Sequence, residues 1–109
     1  VVVELFSSEG CSSCPPADAL LRKLGEQQPL GDVEVIPLEE HVDYWNEGGW
    51  TDPFSSSEWT RRQSAYAGVG PRNELFTPEM VVNGRSQFVG GREREAEAEI
   101  EKAARRPTT

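Results

Sequence analysis

Two cysteines, Cys11 and Cys14, are the residues whose type and spacing promise the most chemistry in this sequence. In Cys11-Ser12-Ser13-Cys14 they meet two needs of thiol–disulfide exchange: a nucleophilic thiolate, and a second thiol close enough to resolve a mixed disulfide. The chain has no other cysteine with which either could form a long-range bridge, so the two act together. Exchange also needs the first sulfur to ionise below the ordinary thiol pKa of about 8.5. Unpaired amide groups at the start of a following helix stabilise an anion. Cys11, on the loop side, is therefore the expected attacking thiolate and Cys14 the resolving thiol. Pro15-Pro16 tempers this: Pro15 disfavours the α conformation at Cys14, and prolines are harmless only in a first helical turn. The helix is therefore expected to begin nearer Cys14 than Cys11, with less lowering of the Cys11 pKa. An inert local disulfide and half of a metal site compete for the same residues.

Several other side chains bear on that site. His41 is the single histidine. It could accept a proton from Cys14 or complete a Cu(I) site with both cysteines, against the plainer reading of a structural, hydrogen-bonded histidine. Glu4 stands in an otherwise apolar run, where a carboxylate is desolvated and its pKa raised unless it is paired. It could take up a proton during exchange, or simply face a wet edge, Arg61 or Arg62. Glu9, close to Cys11, disfavours a thiolate. With Glu39, Glu40 and Glu47 it implies a mildly oxidising site whose acidic rim suits cationic partners. Asp43, Tyr44, Trp45 and Trp50 could frame the cysteines as a substrate wall. The aromatics, with Phe54 and Trp59, could equally be a satellite cluster pinning a long loop.

The elements that must position these residues are legible in pattern. Val1-Val2-Val3-Glu4-Leu5-Phe6 reads as a strand buried on both faces. Ala17, Leu20, Leu21 and Leu24 recur at i, i+3, i+4 and i+7, one apolar stripe of a helix that Gly25 and then Pro29 are expected to end. Residues 32–38, with Val33, Val35, Ile36 and Leu38, read as a second strand, at a sheet edge because Pro37 cannot donate to a ladder. Residues 41–54 form a loop of a length that tends to be functional. Ser55-x-x-Glu58 predicts a capping box opening a helix to Ala67, closed by Gly68, Gly70 and Pro71, with a weak apolar face of Trp59, Ala65, Tyr66 and Val69. Met80-Val81-Val82, Asn83-Gly84 and residues 85–89 predict a hairpin with a type I′ turn. After Gly90-Gly91 a helix carries Ala96, Ile100, Ala103 and Ala104 on one stripe, with the charges of residues 92–101 as its solvated face.

The bulk properties narrow the function classes. At 109 residues the chain fits one domain. A net charge of −8 repels phosphate backbones and anionic lipid, which argues against nucleic-acid and membrane-surface binding. No apolar run approaches the ~18 residues of a membrane span. The chain opens inside its first strand, without Met or a leader, so a preceding segment is expected to have been removed. No phosphate loop, G-x-G-x-x-G or H-E-x-x-H occurs, one histidine is too few for a Cys/His zinc set, and no nucleophile elbow surrounds any serine. No cofactor is expected.

A C-x-x-C between the first strand and helix of a βαβ unit matches the thioredoxin-like redox motif. More specifically, Val3-Glu4-Leu5-Phe6-Ser7-Ser8-Glu9-Gly10-Cys11-Ser12-Ser13-Cys14-Pro15-Pro16-Ala17-Asp18, His41-Val42-Asp43-Tyr44-Trp45, Gly49-Trp50, Asp52-Pro53-Phe54, Arg62-Gln63, Tyr66-Ala67 and Thr77-Pro78-Glu79-Met80-Val81-Val82-Asn83-Gly84 resemble a family of uncharacterised, secreted, thioredoxin-like bacterial proteins. The chain departs from that family at Glu9 and at Glu39-Glu40, where uncharged residues are usual. The resemblance implies an α/β thioredoxin-like domain spanning residues 1–109, the core of a longer family protein. Its order would be β-α-β-α-β-β-α, with a four-stranded mixed sheet in order 2-1-3-4, the first and third helices on one face and the second on the other. It also implies a cis Thr77–Pro78 bond, with the Thr77 backbone pairing to an extended substrate and Pro78 packing over the disulfide. The expected function is thiol–disulfide exchange on protein or small-thiol substrates, by a periplasmic or secreted monomer served by a redox partner. Cys11 and Cys14 would be catalytic. Thr77, Pro78, His41, Asp43, Tyr44, Trp45 and Trp50 would contact substrate, and Glu4 or His41 would move the proton.

Overall fold

The β-branched, apolar start of the chain builds strand β1 (Val2–Ser7), whose last five residues are all buried. A strand covered on both sides must sit inside its sheet. β1 pairs in parallel with β2 (Ile36–His41) and antiparallel with β3 (Glu79–Val82), which pairs antiparallel with β4 (Ser86–Val89). The order is β2-β1-β3-β4, a mixed sheet of four. Three helices complete the α/β fold: α1 (Pro15–Gln27), α2 (Ser57–Val69) and α3 (Glu93–Arg105). A short 3-10 helix, Tyr44–Gly48, interrupts the long connection from β2 to α2. These observations come from a computed structural model, which describes residues 1–28, 31, 33–48, 51–69 and 75–106.

Strand periodicity divides the interior in two, because successive side chains point to opposite faces. Val3 and Leu5 join Met80, Val82 and Phe88 against Ala17, Leu20, Leu21 and Leu24 of α1 and Ala96, Ile100 and Ala103 of α3. Phe6 and Val81 face the other way, with Val42, Tyr44 and Tyr66, so α2 covers the second face alone. The hairpin turn is of the expected kind: Asn83 and Gly84 both take positive φ, 49° and 69°, as a type I′ turn requires.

Several local expectations are corrected. β2 begins at Ile36 rather than Asp32 and runs through two glutamates to His41; Asp32 itself lies outside the described residues. Gly25 does not end α1. It lies inside the helix, where a Cβ would come 2.6 Å from Pro37 Cγ, so its bareness lets α1 approach β2. The helix stops instead at Gln28, in the left-handed region with its amide bonded to Leu24 O. The Gln28 side chain donates to the carbonyls of Gly25 and Val35 and accepts from the Val35 amide. The cap of α2 is Ser56, whose Oγ accepts from the Glu58 amide, while Ser55 bonds to Asp52 and Asn46. α2 runs past Ala67 and buries Gln63 and Ala67, whereas Ala65 is exposed, as is Ala104 of α3. Pro29, Gly70 and Pro71 lie outside the described residues, as does the side chain of Val69. None of the described helices is long and apolar enough to cross a membrane.

Candidate functional site

Cys11 and Cys14 lie between β1 and α1 and form a disulfide, their Cα atoms 5.5 Å apart. Cys14 is the N-cap of α1, with Pro15 and Pro16 in the first turn. The expectation that the helix begins nearer Cys14 than Cys11 holds, although Cys14 takes the αR conformation that a following proline disfavours. Prolines carry no amide hydrogen, so the first two helical positions offer an anion nothing. The loop is held by its own backbone: the Cys11 amide bonds to Ser8 O, the Cys14 amide to Cys11 O and the Asp18 amide to Cys14 O. Ser7 Oγ donates to Asp18 Oδ1 at 2.7 Å, tying the end of β1 to the first turn of α1. Both sulfur residues are covered, Cys11 being 3% and Cys14 0% exposed.

The Thr77–Pro78 peptide is cis. Pro78 sits beside the cysteine helix: a Cβ on Gly90 would meet both Pro78 Cβ and Ala17 Cβ within 3.2 Å. Trp45 also reaches this segment. Its Nε1 donates to Thr77 Oγ1 at 2.7 Å, while its Cβ and carbonyl lie against Gly10, 3.2 and 3.3 Å from where a side chain would begin. One tryptophan therefore links the loop before Cys11 to the segment before β3.

The structural centre of the long β2–α2 connection is Asp52, a residue without an assigned role in the sequence reading. Its buried carboxylate accepts from the Glu9 amide (2.8 Å), the Phe54 amide (2.8 Å) and His41 Nδ1 (2.6 Å). Burial alone would raise its pKa; the two amides and His41 outweigh that and hold it below the carboxylate range. The available sequence signal was Asp-Pro-Phe-Ser after a long loop, the pattern of an Asx turn. Through Asp52 the connection is fastened two residues before Cys11. His41 also faces Glu39, with Nε2 at 3.4 Å. Burial opposes its charge, but Asp52 and then Glu39 prevail and raise its pKa. Glu39 is raised in turn, by burial and then by its hydrogen bond to Asp18.

Other predicted contacts turn elsewhere. The Asp43 amide and carboxylate both bond Thr60, and Tyr44 OH donates to Gln63 Oε1, so the two anchor the connection to α2. Trp50 and the side chain of Glu47 lie outside the described residues. Glu4 lies on the α2 face, where Arg62 Nε and Tyr66 OH donate to its two oxygens. The Arg62 partnership weighed from the sequence is thus present. Glu40 is buried on the same face, not on an acidic rim, because it pairs with Phe6 in the sheet register. Its Oε1 is 3.4 Å from Arg62 Nε, and its Oε2 has no hydrogen-bond partner among the described residues. Burial, then the neighbouring Glu4, push the Glu40 carboxyl up to about 8. Among the described residues no three His, Cys, Asp or Glu side chains are grouped to hold a metal. An open groove of about 440 Å³ runs between α1 and β2, with Asp18, Glu26 and Glu39 and one cation, Arg22, in its wall.

Fold and site together define a four-stranded α/β protein with a C-x-x-C disulfide at the mouth of its first helix. The chain belongs to the DUF1223 family of proteins of unknown function, whose model matches residues 2–109. It is similar to a crystal structure of a protein from Agrobacterium tumefaciens determined by a structural genomics consortium, with 43% identity and a TM-score of 0.85. That alignment covers 95% of this chain and 45% of the other, so the chain spans less than half the length of that relative. No curated protein matches it.

Proposed function

We propose that this chain is a thioredoxin-like thiol–disulfide oxidoreductase acting on protein or small-thiol substrates in the periplasm or outside the cell. The observation that carries the reading is the Cys11–Cys14 disulfide at the N-cap of α1, with Thr77–Pro78 packed beside that first turn. In the oxidising direction a substrate thiolate attacks Cys11 Sγ, the Cys11–Cys14 bond breaks, and Cys14 leaves as a thiolate that takes up a proton. A second substrate thiolate then attacks the mixed disulfide, forming the substrate disulfide and releasing Cys11 as a thiolate; a redox partner reoxidises the pair. Reduction of a substrate is the same sequence reversed. Asp18, Glu26 and Glu39, set against the single Arg22 in the same groove, favour a cationic substrate segment. His41 is the better candidate for the proton than Glu4. The Asp52 bond fastens the His41 connection to Glu9, beside the cysteine loop, whereas Glu4 is turned to α2 on the opposite face.

Burial of both cysteines favours a second reading, an inert local staple. The Cu(I) reading has no such support, because both His41 nitrogens face carboxylates. Titration of the native protein against thiol–disulfide buffers, with alkylation of free thiols and detection by mass, separates exchange from staple. The expected result is a reversible midpoint between about −280 and −120 mV, with Cys14→Ala trapping a mixed disulfide on Cys11. A pair that is reduced only after unfolding would leave the staple.

A further inference from the structure

We propose that the Trp45 side chain is the access- and specificity-determining residue of the disulfide, a gate whose closed state is the one observed; this rests on the exchange reading above. Exchange requires an incoming thiolate to reach a sulfur, so its rate depends on access as well as on thiolate fraction. At 3% exposure Cys11 does not offer that access. The residue spanning the approach is Trp45. Its Cβ and carbonyl lie against Gly10, next to Cys11, while its indole Nε1 reaches Thr77 Oγ1, next to Pro78, so the residue bridges the cysteine loop and the Thr77–Pro78 segment.

The surroundings of Trp45 make its side chain the moving part. Tyr44 is anchored through Gln63 and packs with Phe6, Val42 and Val81. Asn46 is held by its amide to Asp43 O, by its Nδ2 to Ser55 Oγ and by its Oδ1 to the Asp52 amide. With both neighbours pinned, opening proceeds by rotation of the indole and not by unfolding of the connection. Trp45 is 41% exposed, and its indole has one hydrogen bond to break and one tilted ring contact to leave, with Tyr44 at 6.3 Å between centroids. Rotation also frees Thr77 Oγ1 at the segment where an extended substrate would lie. The gate therefore favours a partner that replaces this bond: a flexible peptide dithiol with backbone donors, over a bulky folded surface.

The test is the rate of reduction of the native disulfide by dithiothreitol and, separately, by a cationic unfolded peptide bearing two cysteines. Wild type would be compared with Trp45→Phe, Thr77→Val and Trp45→Ala. Trp45→Phe and Thr77→Val each remove the hydrogen bond while keeping the fold's bulk, and should speed dithiothreitol reduction about fivefold, the worth of one neutral hydrogen bond. Trp45→Ala should speed it more, and should weaken discrimination between the two reductants. The midpoint potential should not move. General loosening would instead lower the unfolding midpoint in step with the faster rates, and such a correlation across the three variants would overturn the gate. So would three rates equal to wild type, with exchange itself left standing. A disulfide that resists both reagents in every folded variant would remove the exchange reading and the gate with it.

Discussion

The two faces of one sheet are built on opposite terms. Toward α1 and α3 the strands present Val3, Leu5, Met80, Val82 and Phe88, a buried apolar cluster. Toward α2 the same strands present Phe6 and Val81 beside Glu4, Glu40 and Glu79, all three glutamates being buried. There α2 answers with polar groups: Arg62 and Tyr66 to Glu4, and Gln63 to Glu79. The apolar face gains stability from area removed from water, without directional demands. The polar face gains little from each hydrogen bond, yet loses heavily when a partner is removed. One face thus holds the fold together, while the other fixes where α2, and the connection leading to it, must sit. That connection carries Asp52 and Trp45 to the cysteine loop.

The sharpest way to break this contrast is to create a cavity on the dry face. Leu5 is fully buried among α1 and α3, and Leu5→Ala should cost roughly 2–5 kcal/mol in urea denaturation. The matched change on the wet face is Gln63→Leu, which keeps bulk but removes the bonds to Tyr44 OH, Phe76 O and Glu79 Oε1. It should cost about 1–3 kcal/mol, from groups left with fewer partners. A Gln63→Leu loss exceeding that of Leu5→Ala would show that polar fastening, not apolar burial, dominates this small domain.

The same contrast explains which parts of the fold were legible in the sequence. Apolar periodicity marked β1, α1 and α3 because their buried faces are apolar, and Asn83-Gly84 marked the hairpin because few residues accept positive φ. It misplaced β2, since a strand containing Glu39, Glu40 and His41 looks like a loop until Arg62, Asp18 and Asp52 are brought to it by distant elements. An apolar stripe on α2 takes in Ala65, which is exposed, while the helix buries Gln63, a polar residue whose partners lie 13 to 19 positions away. Gly25 looks like a helix stop in sequence because only its approach to Pro37 reveals a packing role. For the site, the spacing of Cys11 and Cys14 was readable locally. The Asp52 clasp and the Trp45–Thr77 bond were not, being pairings at separations of 43 and 32 residues.

The gentlest test concerns the charge balance of the wet face. Arg62 supplies one positive charge to two buried carboxyls, Glu4 and Glu40, while Tyr66, its phenol pushed up to about 12 by burial and Glu4, stays neutral. The pair therefore retains a proton, on the Glu40 side, where burial and Glu4 raise the pKa from 4.5 to about 8. A carboxyl whose folded pKa exceeds its unfolded value binds more protons in the native state, so its contribution to stability is complete below the unfolded pKa. That contribution declines as pH rises through the folded one. Between pH 6 and 7 the decline cannot exceed ~1.4 kcal/mol, and water around the half-exposed Arg62 reduces it further. Glu40→Gln keeps an N–H donor toward Glu4 and removes the titration, so its stability should fall less with pH over that interval. His41, also raised, contributes a fall of the same sign to both proteins and cancels in their difference. Parallel wild-type and Glu40→Gln profiles would mean that Glu40 is ionised in the fold and that the wet face tolerates the unpaired charge. A wild-type profile that falls more steeply would fix the proton on the α2 side of the sheet, away from the cysteines.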